Sequence, residues 1–160
     1  MKVFFYLISK IPKPFIVFSV DLFIYTKFYR FTKYYKITKV NLGIAYKDLS
    51  SENLENLSKL SIRESLIGIY ETFYTWGRGH VYSNSKIFKI KNNFLLKNKL
   101  NEGRGLIAVS IHNRSVDMLL KWINSQITTV SLYKKIKNKF LDKFVKNDRQ
   151  HNGAKCYETS

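Results

Sequence analysis

Apolar residues dominate the first thirty positions of the chain. Residues 4–31 read FFYLISKIPKPFIVFSVDLFIYTKFYRF, and the charged residues Lys10, Lys13, Asp21 and Lys27 interrupt the apolar ones before Arg30. The longest nearly apolar run, residues 14–20, is much shorter than the roughly 20 residues that a membrane-spanning helix needs. The pattern predicts a helix beginning after Pro12 or Pro14. It lies either in or against a membrane interface or, alternatively, inside a protein core.

A basic and aromatic segment follows this helix and favours the membrane alternative. Its cationic and tyrosine side chains are interleaved: Lys27, Tyr29, Arg30, Lys33, Tyr34, Tyr35, Lys36 and Lys39. Tyrosine and lysine together are typical of the boundary between membrane and water, where the ring is buried and the ammonium group stays hydrated. Residues 1–40 are therefore predicted to form a membrane-associated helix followed by a basic and aromatic segment.

Helical spacing returns after a short connector at residues 41–49. Ser50 or Ser51 can cap a helix that begins near Glu52, and apolar residues then recur every three or four positions. The pattern predicts that this helix continues to about Trp76. There the sequence WGRGH places two glycines within three residues, which favours a turn.

The second half of the chain alternates between strand-like and helix-like patterns. Residues 87–90 suggest a short strand. Residues 101–112, NEGRGLIAVSIH, form a glycine turn followed by a continuous apolar run, which is typical of a strand buried on both faces. A helix follows Asp117, a second β-branched strand is predicted over residues 127–132, and a basic amphipathic helix over residues 133–146.

This alternation predicts an α/β fold, with a helical membrane-associated N-terminal region followed by a partial mixed sheet with flanking helices. Residues 41–160 would be the N-terminal part of this α/β domain.

Charge and composition narrow the classes of partner. Hydrophobic residues make up 45% of the chain and aromatic residues 16%, which excludes a disordered protein. The formal net charge of +17 attracts polyanions: nucleic acid, an anionic membrane, a phosphorylated lipid or an acidic carrier protein. Lysine far outnumbers arginine, and a coding bias toward A and T is an alternative explanation of the basic excess. The scarcity of arginine also counts against specific nucleic-acid recognition.

Cysteine and histidine usage points away from disulfides and metals. Cys156 is the only cysteine, so no intrachain disulfide can form. The three histidines, His80, His112 and His151, do not have the spacing of zinc ligands. The residues therefore predict no metal site.

His112 and Asp117 form the most informative pair. Five residues along a regular helix would turn them about 140° apart, so they cannot share a helix face. They can meet if His112 ends a strand and Asp117 lies in the first turn of the next helix, where the helix dipole favours the ionised carboxylate. The carboxylate would then orient the imidazole and leave its second nitrogen free to act as a base.

The run from Gly103 to His112, leading into Asp117, resembles the glycine–strand–histidine motif of the lipid A biosynthesis acyltransferases. These enzymes add secondary acyl chains and belong to the wider lysophospholipid acyltransferase-like superfamily. The N-terminal apolar helix resembles the family's membrane anchor, and residues 133–142 resemble the segment after its next strand. The similarity extends over nearly the whole chain, although only the His–Asp motif is specific.

The resemblance implies an acyltransferase that moves a fatty acyl group from an acyl carrier protein thioester to a hydroxyl of a lipid A-type glycolipid precursor. It implies catalytic roles for His112 as general base, Asp117 as the residue that orients it, and Arg149 as stabiliser of the oxyanion or a phosphate. Arg104 and Arg114 would contact lipid phosphates. The implied location is the cytoplasmic face of the inner membrane, and no cofactor or nucleic-acid partner is implied.

Two alternatives stay open on the sequence alone. Members of that family are longer, so the resemblance implies that the α/β domain at residues 41–160 is incomplete at its C-terminus. The chain could then be a truncated, non-catalytic, membrane-associated remnant. Its positive charge and its many tyrosines and phenylalanines, which can stack on bases, also fit a basic RNA-binding protein.

Overall fold

The residues that the structure describes are mostly helical, and they include one small parallel sheet. The structure is a computed structural model, and it describes residues 1–110 and 116–159. Its helices are α1 (Lys2–Ile8), α2 (Lys13–Tyr25), α3 (Lys33–Ala45), α4 (Ser51–Gly77), α5 (His80–Asn84), α6 (Asn93–Asn101), α7 (Val116–Gln126) and α8 (Lys139–Arg149), with short 3-10 turns at Phe28–Phe31 and His151–Gly153. Its strands are β1 (Val130–Lys134) and β2 (Lys155–Thr159). The prediction of an α/β fold is confirmed in part: helices and strands are both present, but the sheet of the described residues is parallel and not mixed.

The chain divides into two compact units, Met1–Gly77 and Arg78–Ser160. The first is built on the long helix α4, against which α1, α2 and α3 pack. Its core contains two aliphatic and two aromatic side chains, all buried: Ile24, Tyr29, Tyr35 and Ile62. The edge-to-face contact between the two tyrosine rings, whose centroids lie 5.3 Å apart, joins the 3-10 turn to α3.

Polar side chains of the 3-10 turn and α3 also pair with a carboxylate on α4. Glu55 of α4 accepts a hydrogen bond from the Tyr35 hydroxyl, and its carboxylate oxygens lie 2.9 Å from Lys39 Nζ and 2.7 Å from Arg30 Nη2. The hydrogen bonds from Tyr35 and Lys39 are the main causes that lower the pKa of Glu55 to about 2. The carboxylate therefore stays ionised at neutral pH and joins α3 and the 3-10 turn to α4.

In the second unit, β1 and β2 pair in parallel, with Leu132 opposite Tyr157. Helix α8 lies between them in sequence and provides the crossover that parallel strands require. Its N-terminus is capped by Asn138, whose side-chain oxygen accepts hydrogen bonds from the backbone N–H groups of Phe140 and Leu141. Helix α7 packs against α5 and also contacts α8.

Three helix predictions are confirmed. The helix expected after Pro12 is α2, the helix expected from Glu52 to Trp76 is α4, and Asp117 lies in the first turn of α7. The predicted strand at residues 127–132 is observed as β1 at 130–134, and the predicted helix at 133–146 begins later, as α8.

The strand predicted for the apolar run that follows the glycine turn, within residues 101–112, is wrong in its described part. Residues 106–110 form no strand, and the side chains of Ile107 and Val109 are more than 90% exposed. A strand buried on both faces needs neighbouring strands and covering layers. Among the described residues β1 and β2 pair with each other and no third strand joins them. The predicted strand at residues 87–90 is likewise not formed, and the connector at 41–49 is helical as far as Ala45.

Within the described residues, no single helix has both the length and the hydropathy for a membrane span. The pair α1 and α2 meets the criteria only when the two are taken together, and they are bent by 82° relative to each other.

Gly77 provides a test of how α1 packs on α4. A Cβ atom at this position would lie 2.2 Å from the backbone oxygen of Phe5, which is closer than two non-bonded atoms can approach. We expect Gly77→Ala to lower the free energy of unfolding by about 2–3 kcal/mol, because backbone must move to make room. Gly43→Ala is the matched control. Its Cβ would meet only Leu54 Cδ2, at 3.6 Å, so the better helix former should leave stability unchanged or raise it. Equal denaturant midpoints for the two variants would contradict this packing.

Candidate active site

The most buried face of α7 is polar. Asp117, Lys121 and Asn124 are spaced at i, i+4 and i+7, which places them on one side of the helix. Their exposed fractions are 8%, 2% and 3%, whereas the apolar residues of the same helix are only half-buried. Buried polar groups are costly unless they find partners. Each of these three finds a partner at or after the C-terminal end of α8.

Asp117 pairs with Arg149, the last residue of α8. The guanidinium donates from Nε at 3.0 Å and from Nη2 at 2.7 Å, both to Oδ1 of the carboxylate. The Asp117 side chain is 9% exposed and that of Arg149 is 23% exposed. Two charge-assisted hydrogen bonds at this depth hold the carboxylate and the guanidinium in fixed orientations.

Lys121 pairs with Asp148, the neighbour of Arg149. Its Nζ lies 3.2 Å from Asp148 Oδ1 and donates a hydrogen bond of 3.2 Å to the backbone oxygen of Arg78. Burial lowers the pKa of Lys121 and raises the pKa of Asp148. Desolvation therefore outweighs the mutual attraction of the two charges, as expected for a buried ion pair.

Asn124 holds the backbone where α8 ends. Its Nδ2 donates to the carbonyl oxygen of Arg149 at 2.9 Å, and its Oδ1 accepts from the hydroxyl of Thr129 at 2.5 Å. The backbone oxygen of Asn124 accepts from Asn152 Nδ2 at 3.1 Å. The C-terminal end of α8 is thus attached to α7 through both side chains and backbone.

His80 of α5 lies beside this network. Its Nε2 is 3.7 Å from Asp148 Oδ1, and its ring stacks on that of His151 with centroids 3.8 Å apart. Burial, followed by the positive field of Lys121 and of His151, lowers the pKa of His80 to about 4. Its Nδ1 is buried and makes no hydrogen bond with the described residues. His80 is therefore neutral at pH 7.

The structure brings together two of the residues predicted from sequence, Asp117 and Arg149. His112 and Arg114 lie outside the described residues, so their positions stay predictions. Arg104 has an 80% exposed side chain and pairs with Glu102 at 2.5 Å. Among the described residues, no group of three or more His, Cys, Asp or Glu side chains has the arrangement of a metal site.

Sequence reasoning missed Lys121, Asn124, Asp148 and His80. A signal for the first two was present, because polar residues at i, i+4 and i+7 break the apolar character of an otherwise hydrophobic helix. Asp148 and His80 carry no comparable signal, since their partners are distant in sequence.

The buried neutral state of His80 makes stability depend on pH. Its folded pKa of about 4 is below the unfolded value of 6.5, so the stabilisation is fully present above pH 6.5 and is lost as the pH falls toward 4. This residue should account for a decrease of about 2 kcal/mol in the free energy of unfolding between pH 7 and pH 5. Denaturant titrations should show a weaker pH dependence for His80→Gln. The control His151→Asn keeps His80 and should keep most of the dependence. Identical pH profiles for wild type and His80→Gln would show that His80 is not the titrating group.

Comparison of the sequence with known proteins identifies its family. A search of curated proteins finds no match. The family model of the bacterial lipid A biosynthesis acyltransferases matches residues 2–160, which is nearly the whole chain. The match includes both α7, with Asp117, and the end of α8, with Arg149. The chain belongs to the bacterial lipid A biosynthesis acyltransferase family.

Proposed function

We propose that this acyltransferase moves a fatty acyl group from an acyl carrier protein thioester to a hydroxyl of a phosphorylated, lipid A-type glycolipid precursor. The proposed location is the cytoplasmic face of the inner membrane. Family membership establishes the acyltransferase class in general. The donor, the acceptor and the membrane are part of the proposal.

The observation that carries the proposal is the buried Asp117–Arg149 pair. Asp117 lies five residues after His112 in sequence and at the beginning of α7, where the helix dipole favours an ionised carboxylate. Its position is fixed by two hydrogen bonds from Arg149. A carboxylate held in place can orient a neighbouring imidazole, which is the role proposed for Asp117 toward His112.

In the proposed reaction, His112 takes the proton from the acceptor hydroxyl as the hydroxyl oxygen attacks the thioester carbonyl carbon. The carbonyl oxygen becomes an oxyanion, and a guanidinium held near it would lower the barrier by stabilising that charge. Arg149 is the proposed donor. When the oxyanion collapses, the carbon–sulfur bond breaks and the thiolate leaves, taking the proton from the His112 imidazolium.

The positive charge of the chain supports the proposed acyl donor and acceptor. The net charge of +17 favours association with an acidic carrier protein, because complementary fields increase the rate of encounter. Arg104 and Arg114 are the proposed contacts to phosphates of the acceptor. The guanidinium of Arg104 is largely exposed, and a phosphate could compete with Glu102 for it.

The proposed roles predict a clear pattern of activity. His112→Ala should reduce acyl transfer by at least about 100-fold, because the general base is lost, and Asp117→Asn by about 10- to 1000-fold. Asp142→Asn is the matched control. Asp142 also lies in the first turn of a helix and accepts a hydrogen bond from the backbone N–H of Ile136, which asparagine can keep. Transfer of labelled acyl groups from acyl carrier protein to a glycolipid acceptor, with separated products, measures the effect. Retained turnover in folded His112→Ala would refute the mechanism.

The proposed membrane location is supported by the outward face of α2. Phe15, Phe18, Leu22 and Tyr25 follow helical spacing along one side of this helix, and each is more than half exposed. Its other side already packs in the core through Ile24. A helix that is apolar on both sides needs a second apolar environment, and a lipid interface provides one.

Helices α1 and α3 of the same unit also expose apolar side chains, and this part of the chain is basic. Val3, Phe4 and Leu7 of α1 are exposed, as are Ile37, Val40 and Ile44 at helical spacing on α3. Between residues 1 and 47 the chain has nine basic residues and one acidic residue, Asp21. Apolar side chains that enter the interface, together with cations that attract anionic lipid, fit a peripheral membrane surface.

Replacing part of the α2 stripe tests this surface. Phe18→Ser combined with Leu22→Ser should weaken binding to phosphatidylethanolamine–phosphatidylglycerol vesicles by more than about tenfold, because each side chain loses roughly 1.5–3 kcal/mol of burial. Phe140→Ser, which removes another exposed phenylalanine, should leave binding unchanged. Vesicle co-sedimentation at fixed salt measures both. Equal binding of all three proteins would exclude α2 as the membrane contact.

A further inference from the structure

Two ion pairs cross between α7 and α8. Asp117 and Lys121 lie one turn apart on α7, and Asp148 and Arg149 are consecutive at the end of α8. Each helix therefore contributes one acidic and one basic residue, and each acidic residue forms an ion pair with the basic residue of the other helix. The alternative pairing would set Asp117 against Asp148 and Lys121 against Arg149. Because like charges repel, the four residues favour the observed pairing of the two helices over this alternative.

Stability alone does not account for the Lys121–Asp148 pair. The Lys121 side chain is 3% exposed and that of Asp148 is 15% exposed. Replacing such a buried pair by apolar residues of similar size is often neutral or stabilising, because desolvation offsets the attraction. The attested benefit of buried charge pairs is that they fix one register between packed elements.

A fixed register between α7 and α8 matters most for the position of Arg149. It is the last residue of α8, and helix ends open more readily than helix interiors. Its guanidinium is carried on a long flexible side chain, so small movements of the backbone are amplified at the charged end. Lys121 holds Asp148 immediately before it, and Asn124 holds the carbonyl oxygen of Arg149 itself.

We propose that Lys121 and Asp148 are positioning residues, which hold the end of α8 so that the Arg149 guanidinium meets the Asp117 carboxylate in the geometry that acyl transfer requires. The role in transfer rests on the proposed function above. Neither residue takes part in bond formation. Both act through Arg149.

The Nε–H signal of Arg149 in a nitrogen-15 NMR spectrum reports directly on the hydrogen bond from Arg149 Nε to Asp117. The chain has six arginines, so the spectrum is sparse, and loss of one peak in Arg149→Lys identifies the signal. In wild type, hydrogen bonding to Asp117 should slow exchange of this proton with water. In Lys121→Met the signal should broaden or disappear. Lys143→Met, the same substitution at an exposed position of α8, should leave it unchanged.

Kinetics provide the second measurement. Lys121→Met should lower kcat by about 10- to 100-fold with KM changed by less than about threefold, because an interaction needed in the transition state is lost. In an Arg149→Lys background the same substitution should cause no further loss, since Lys121 acts only through Arg149. A purely structural residue would instead reduce activity by the same factor in both backgrounds.

The outcomes separate this proposal from the proposed function. If the Arg149 signal and kcat are unchanged in Lys121→Met, the positioning role is overturned even though the enzyme is active. If wild type transfers no acyl group, the proposed function fails, while the NMR comparison still decides whether Lys121 positions Arg149. Should Lys121→Met not fold, Asp148→Asn, which removes the other charge of the pair, takes its place in both measurements with the same expected results.

Discussion

The second unit depends on one constraint, the polar face that α7 buries. Asp117, Lys121 and Asn124 occupy the position where a soluble helix usually places its apolar stripe. A buried polar group without a partner costs about 1–3 kcal/mol, and a buried charge costs more. The end of α8 therefore has to lie where Asp148, Arg149 and its carbonyl oxygen satisfy all three. Since α8 connects β1 to β2, the same requirement also restricts where the two strands can pair.

This arrangement combines a structural and a chemical task in one set of residues. Asp117 helps to hold α8 in place, and it is also the carboxylate proposed to orient His112. Arg149 neutralises Asp117, and it is also the cation proposed for the oxyanion. Groups that are already fixed in the resting protein need no reorganisation when charge develops on the substrate. The cost is a buried network in which the loss of one member leaves its partners unsatisfied.

Sequence patterns predicted the features that depend on local periodicity. The apolar spacing of α4 and the acidic residue at the beginning of α7 are local signals, and both are confirmed. The apolar run at residues 106–110 shows the limit of such reasoning, because hydrophobicity indicates that a segment prefers burial and does not provide the neighbouring strands. Strand β2 was missed since KCYET is short and polar. Arg149 was named from the family resemblance, whereas its contact with Asp117 depends on tertiary structure across 32 residues.

The two units use apolar surface in opposite ways. In the second, α7 turns polar groups inward, and ion pairs and hydrogen bonds compensate for their burial. In the first, α2 is apolar toward the core and also toward the outside, and no ion pair could compensate for exposed phenylalanine. Water is an unfavourable environment for the outward stripe of α2. The proposed membrane location would give this stripe the apolar environment that water does not.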